Sequence, residues 1–194
     1  MIFNKFADKK IILASQSPRR HNLLTGIGLD FDIITSLETD ESFSDSMNVD
    51  EVPVYLAKKK AKTYENFIDE KTILITADTI VSLNGKILNK PKDRSDAENM
   101  LKLLSGNSHI VITGVCIKSK QKEICFNAHT TVYFNDLTKD EIDFYIEKYK
   151  PFDKAGAYGI QEWIGYIAIK KIEGSYFNVM GLPIQKLYEE LSKF

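Results

Sequence analysis

The stretch Lys10-Ile11-Ile12-Leu13-Ala14-Ser15-Gln16-Ser17-Pro18-Arg19-Arg20 passes from an apolar run of strand length to a helix start within a few residues. Lys10 to Ala14 reads as a short buried strand. Ser17-Pro18 opens a helix, because a serine hydroxyl can accept a free first-turn N–H and a proline at the first helical position removes an N–H that would lack a partner. The helix continues through Leu23 and Leu24 to Gly26 or Gly28. A strand that feeds straight into a helix is the unit of an α/β protein, and the rest of the chain repeats the alternation.

Phe31 to Thr35 can return as a strand, and from Pro53 to about Phe67 the residues Ala57, Ala61, Tyr64 and Ile68 recur at helical spacing. Thr72 to Ala77 is apolar and of strand length, and it delivers Asp78 at its end. Thr79–Leu83 and Lys86–Leu88 flank Asn84-Gly85, a hairpin signal because both central residues of a type I′ turn need positive φ. Ser95 and Glu98 read as a capping box for a helix that Gly106 ends. Ile110 to Lys118 and Glu123 to Phe134 read as two further strands joined by a polar turn. Thr138 and Glu141 cap the next helix, with Ile142, Tyr145, Ile146 and Tyr149 on its inner face, and Pro151 stops it. Pro183 opens the last helix, with Ile184, Leu187, Tyr188 and Leu191 inward. No linker-like stretch or internal repeat divides the chain, so residues 1–194 read as a single α/β domain.

Composition narrows the partners. Twenty-six basic against twenty-seven acidic residues leave a formal charge of -1 over 194 residues, so no net field favours nucleic acid or an anionic membrane. The opening Met1 to Lys10 lacks the apolar core of a secretory signal, and no stretch approaches the ~20 apolar residues that span a bilayer. A cytoplasmic protein with no membrane or nucleic-acid partner is the expectation. Cys116 and Cys125 can face each other across a hairpin, with reduced, buried thiols the expected state. Neither a CxxC spacing nor a His pair marks a structural zinc site.

Four features carry chemistry. Arg19 and Arg20 occupy the first turn of a helix, where the dipole disfavours cations by roughly 0.3–1 kcal/mol each. Either an anion such as phosphate binds there, with the serine hydroxyls and free N–H groups, or the arginines curl back to surface carboxylates. Asp78 stands between two apolar segments and needs a cation, a metal or strong donors. Lys90 across the hairpin is one partner for a plain salt bridge. In the functional alternative, Asp78 binds a divalent ion or takes a proton from water while Lys90 meets a phosphate oxygen. Glu38, Asp40, Glu41 and Asp45 follow the first return strand, either merely solvated or supplying one ligand to a magnesium ion held otherwise by Asp78 and phosphates. Finally, Ala155-Gly156-Ala157-Tyr158-Gly159-Ile160-Gln161 permits close backbone approach, and the Gln161 amide could read a base edge or simply face solvent.

Taken together, these stretches resemble the Maf family of nucleoside triphosphate pyrophosphatases, also called septum formation proteins. The matching blocks, in family order, are Leu13 to Arg20; Leu56-Ala57 with Lys60-Ala61; Ala77-Asp78-Thr79; Lys90-Pro91; Leu104-Ser105-Gly106 with His109 and Thr113-Gly114-Val115; Asp153 to Gln161; and Gly174-Ser175-Tyr176 with Gly181-Leu182-Pro183. The resemblance implies a three-layer α/β fold like that of the inosine triphosphate pyrophosphatases, with a mixed central sheet, a cleft between two lobes and often a homodimer. It implies hydrolysis of a nucleoside triphosphate to monophosphate and pyrophosphate with Mg2+ or Mn2+. By family correspondence Asp78 is the proton acceptor or a metal ligand, and Glu41 is a metal ligand. Ser15, Arg19, Arg20, Lys60 and Lys90 contact phosphates, while Arg19, Thr79 and Gln161 bear on base choice. Tyr158-Gly159-Ile160-Gln161 resembles the dTTP/UTP branch, whereas Glu162 to Lys171 departs from the glycine-rich stretch of that branch. The rival from another class is a non-catalytic, nucleotide-sensing regulator of septation, which would need a phosphate pocket but no Asp78.

Overall fold

The structure, a computed structural model, describes residues 6–194; Met1–Lys5, part of the opening segment read above for a leader, lie outside the described residues. In chain order the elements are β1 (Lys10–Leu13), α1 (Pro18–Gly26), β2 (Asp32–Ile33), α2 (Val52–Thr63), β3 (Thr72–Leu83), β4 (Lys86–Leu88), α3 (Arg94–Leu104), β5 (Ser108–Lys118) and β6 (Glu123–Phe134). Then follow α4 (Lys139–Tyr149), α5 (Trp163–Ile167), β7 (Ile169–Gly174), α6 (Tyr176–Met180) and α7 (Ile184–Ser192). The expected mixed α/β sheet is present. Its strand order is β2-β1-β3-β5-β6-β7, with β4 on β3, and β1 runs parallel to β2 and β3 while β4 and β7 pair antiparallel. Among the described residues no helix is long and apolar enough to cross a membrane.

The chain gathers into two compact units. The first holds residues up to Asp78, Thr113–Ala128 and Gly181–Phe194; the second holds Thr79–Ile112 and His129–Met180. In the first, β1 registers with the start of β3, Leu13 opposite Ile75. Ile12, Leu74, Ala57, Ala61, Tyr64, Ile68 and Cys116 form a buried cluster there, so the helical spacing of α2 does mark its inner face. Gly114 lets β5 pass against the start of α2, because a Cβ there would lie 2.2 Å from the carbonyl carbon of Pro53. In the second unit the larger cluster packs α3, α4 and the 155–168 segment around Val81, Val111, Val132 and Phe134.

Several expectations require correction. The 31–35 return is a strand only at Asp32–Ile33, both exposed, because it pairs with the short β1 alone. Helix α2 ends at Thr63, and a 3-10 turn carries the chain on to Phe67. The cap of α3 is Asp93, not Ser95: its carboxylate accepts the Asp96 N–H at 2.8 Å, and an acid here also suits the helix dipole. Tyr188 of α7 is 38% exposed, so the inner stripe of that helix is Ile184, Leu187 and Leu191. The Thr138–Glu141 box and the Asn84-Gly85 turn, with φ of 50° and 79°, are as expected.

His109 is buried against the edges of Phe134 and Tyr158, with Nε2 2.7 Å from the Tyr158 hydroxyl and Nδ1 without a hydrogen-bond partner. Burial pushes its imidazole down to about 4. The unfolded chain would take up that proton near pH ~6.5, so the neutral ring contributes stability above that pH, and the contribution is lost as pH falls toward the folded value. Comparing unfolding free energies at pH 7.5 and pH 4.5, we expect the acid-induced drop to shrink by roughly 2–3 kcal/mol in His109→Gln. An identical drop in both proteins would show that His109 takes no part in it.

Candidate active site

After β1 the chain turns through Ser15 to Ser17 and enters α1. Ser17 occupies the N-cap in an extended conformation, but its side chain makes no capping bond; its N–H instead donates to Ser15 Oγ at 3.2 Å. The first turn contains no acid and carries Arg19 and Arg20. Arg20 folds back across this turn. Its Nε donates to the Gly181 carbonyl at 2.7 Å, and one terminal nitrogen donates to the Ala77 carbonyl at 2.9 Å and to Ser15 Oγ at 3.3 Å. Burial holds the guanidinium below its usual range. Asp78 and Glu41 oppose that shift, and the neighbouring Arg19 adds to it. His21 closes the turn from the other side, with Nε2 2.7 Å from the Ser15 carbonyl oxygen.

Asp78 is buried in the middle of β3, and Lys60 stands against it as a cation. The Lys60 ammonium donates to Asp78 Oδ1 at 2.6 Å and lies 2.8 Å from Glu41 Oε1, so one charge joins a strand acid to a loop acid. Lys60 reaches there because Ala57 and Ala61 turn the other side of α2 into the core. Thr76 also donates to the Ala57 carbonyl at 2.7 Å, fixing the helix against β3. Of the remaining acids in the 38–45 loop, Asp40 pairs with Lys59 at 2.6 Å, and that bond, with two from Ser42, holds its carboxyl down at about 2. Arg19, Arg20 and Lys60 with Asp78 and Glu41 thus all belong to the first unit.

Ser15 belongs to the first unit too, whereas Thr79, Lys90 and Gln161 belong to the second unit. Thr79 continues β3 and is half-buried, while Lys90 follows β4 and is exposed. Gln161 ends the small-residue turn. Gly156, at φ 69°, passes so close to Val81 that a Cβ would meet its methyl groups at 3.0 Å, which is the close approach the composition suggested. The hydroxyl of Tyr145 accepts the Gly159 N–H at 3.0 Å and donates to Glu162, whose carboxylate is 3.2 Å from Lys154. Lys154, itself buried, also reaches Asp153 at 2.7 Å. Within this held turn, Gln161 Oε1 is buried with no hydrogen-bond partner. Nothing in the local sequence marks the contacts made by His21, Gly181, Tyr145 or Lys154. Tyr145 read only as an apolar helix position, and the contribution of Gly181 is a carbonyl, which no side-chain pattern reveals.

Asp78 and Glu41 already converge on one cation and present only oxygen donors, the set a hard divalent ion such as Mg2+ or Mn2+ takes together with phosphate oxygens. The residues therefore fit the metal that the family resemblance implies.

A fold of this class, with strand-borne acid, bridging lysine and arginine-bearing turn, is matched at the family level. The model for the Maf family, described as "Maf-like protein", matches residues 10–194, and the chain belongs to that family. It is 53% identical over 184 residues to a dTTP/UTP pyrophosphatase of Bacteroides fragilis (strain YCH46), covering 95% of each chain. It is 51% identical over 185 residues to one of Parabacteroides distasonis, covering 95% of this chain and 96% of the relative. Among solved structures, a HAM1 protein from Coxiella burnetii aligns over 96% of this chain and 100% of its own at 14% identity and a TM-score of 0.49, a likeness too distant to bear on function.

Because Arg20 ties α1 to two backbone carbonyls, Arg20→Lys should lower the unfolding free energy by roughly 1–3 kcal/mol, since a lysine cannot reproduce the fork. Urea denaturation measures this directly; an unchanged midpoint and slope would mean that the carbonyls find other donors.

Proposed function

We propose that the chain hydrolyses dTTP and UTP to the nucleoside monophosphate and pyrophosphate. The observation that carries this reading is the Lys60 bridge between Asp78 and Glu41, beside an arginine anchored at the start of α1. A nucleoside triphosphate brings close to four negative charges, which repel an incoming water unless cations neutralise them. Ser15, Arg19, Arg20, Lys60 and Lys90 do this for the phosphates, and positioning with electrostatic stabilisation supplies most of the rate, as in other phosphoryl transfers. With Oδ1 held by Lys60, Asp78 uses its second oxygen either to take the proton of the attacking water or to bind the metal. A divalent ion held by Asp78, Glu41 and the substrate would neutralise phosphate charge and lower the pKa of a bound water. A homodimer and a cytoplasmic location complete this reading.

Base choice rests on Thr79, Arg19 and Gln161. The orphaned Gln161 acceptor supports this, since uracil and thymine offer a ring N3–H to such an oxygen. The names of the curated relatives point to the same two substrates. The Glu162–Tyr145 and Glu162–Lys154 contacts give the departure after Gln161 a role in holding that residue's turn.

The test is a panel of nucleoside triphosphates with Mg2+ or Mn2+, scored for pyrophosphate against orthophosphate. We expect pyrophosphate, released fastest from dTTP and UTP. Orthophosphate alone would mean that a different bond breaks, and tight binding without turnover would favour the septation-regulator reading. Asp78→Asn should fold, by circular dichroism, yet lose at least ~100-fold in kcat; near-normal turnover removes Asp78 from the chemistry. Gln161→Ala should change the UTP to CTP ratio of kcat/KM more than the melting temperature, and a constant ratio would argue against base reading.

A further inference from the structure

The two cysteines lie nine positions apart in sequence, and the fold brings them together in the first compact unit. Strands β5 and β6 are joined by a turn closed by the Ser119 N–H on the Lys122 carbonyl at 2.8 Å. Counting outward from that bond along both strands sets position 116 across from position 125, and the two thiol sulfurs lie within 4.8 Å of each other. Glu123 stands two residues before Cys125 on the same strand and therefore on the same face. Its carboxylate oxygen is 3.8 Å from Cys125 Sγ, and the ligand atoms of Cys116, Glu123 and Cys125 all lie within 4.8 Å of one another.

Those separations match a known coordination geometry. Zinc bonds of about 2.3 Å to sulfur and 2.1 Å to a carboxylate oxygen, at tetrahedral angles, put sulfur and oxygen about 3.6 Å apart and two sulfurs about 3.8 Å apart. Closure around an ion thus shortens these separations by at most about 1.2 Å, which side-chain torsions can supply. Two thiolates with one carboxylate prefer zinc or cadmium to magnesium. Cys116 is buried, Cys125 half-buried and Glu123 exposed, so the donors form a floor, a wall and a rim open to solvent. One neighbouring cation, Lys118, is weakly placed to compete, since it sits 3.6 Å from Glu123 but 2.7 Å from Glu65.

We propose that Cys116, Cys125 and Glu123 form a binding site for a thiophilic divalent cation, zinc first among them, with the fourth coordination position left to water. Binding releases the thiol protons to solvent and forms two metal–sulfur bonds and one metal–oxygen bond, with no change of oxidation state. It clamps the turn end of the β5–β6 hairpin, whose buried thiol packs with Ala57 and Ala61 of α2. The carboxylate pair at Asp78 and Glu41 contains no sulfur, so the two sites are separable by metal type.

The whole protein, reduced and stripped with a chelator, is titrated with Cd2+ and Co2+ in excess Mg2+. We expect one equivalent of either ion to raise a thiolate-to-metal charge-transfer absorption, Zn2+ to displace Co2+, and Zn2+ to raise the melting temperature. Cys125→Ser should abolish the absorption, and Glu123→Gln should weaken binding ~10-fold or more. Glu123 is exposed, so its variant carries the test even if Cys125→Ser does not fold. Absence of the absorption, its persistence at full strength in Cys125→Ser, or unchanged affinity in Glu123→Gln would each overturn the site. So would reduced protein that takes up no metal and merely forms a disulfide in air.

Discussion

A carboxylate in the middle of a buried strand must be compensated on the spot, and Lys60 does this for Asp78 from α2 at 2.6 Å. Breaking a buried pair by removing one partner typically costs 3–5 kcal/mol, because the remaining charge is left uncompensated. The ammonium can sit at that depth only if α2 lies close on the sheet. That closeness in turn needs alanines at 57 and 61, a bare glycine at 114 and the Thr76 hydroxyl on the Ala57 carbonyl. One charge pair therefore explains why small residues recur along the contact.

The same lysine draws in Glu41 from a polar loop, and Arg20 binds the carbonyl of Ala77, the residue before the strand acid. Acids and bases are thereby interleaved rather than segregated: Lys60 meets two carboxylates, and Arg20 meets the carbonyls of Ala77 and Gly181. A polyanion entering such a cluster exchanges partners with groups already held in position, which lowers the ordering cost of binding.

How much of this could be read in advance varied by physical cause. The Thr138–Glu141 capping box, the Asn84-Gly85 turn and the helical stripes of α2 and α4 are local and legible. The α3 cap was misassigned because Asp93 and Ser95 are both competent caps, and only the observed bond to Asp96 decides between them. The segment after Gln161 gave no clear signal, since α5 and α6 have five residues each and β7 alternates weakly. Asp78 stood out as an anomaly, but its partner did not: Lys60 lies eighteen residues away and looks like one more charge in the run Lys58-Lys59-Lys60.

Sequence alone determined the α/β class, the family, the candidate chemistry and the order of nearly every element, because periodicity, turn residues and caps act over a few positions. Tertiary structure alone decided that Lys60 meets Asp78, that Arg20 binds carbonyls of Ala77 and Gly181, that Gln161 keeps an unpaired acceptor, and that two thiols share a face with Glu123. Those pairings join residues from different strands, helices and loops. They are set by how apolar faces pack and by where a buried charge can find its opposite, which no local pattern encodes.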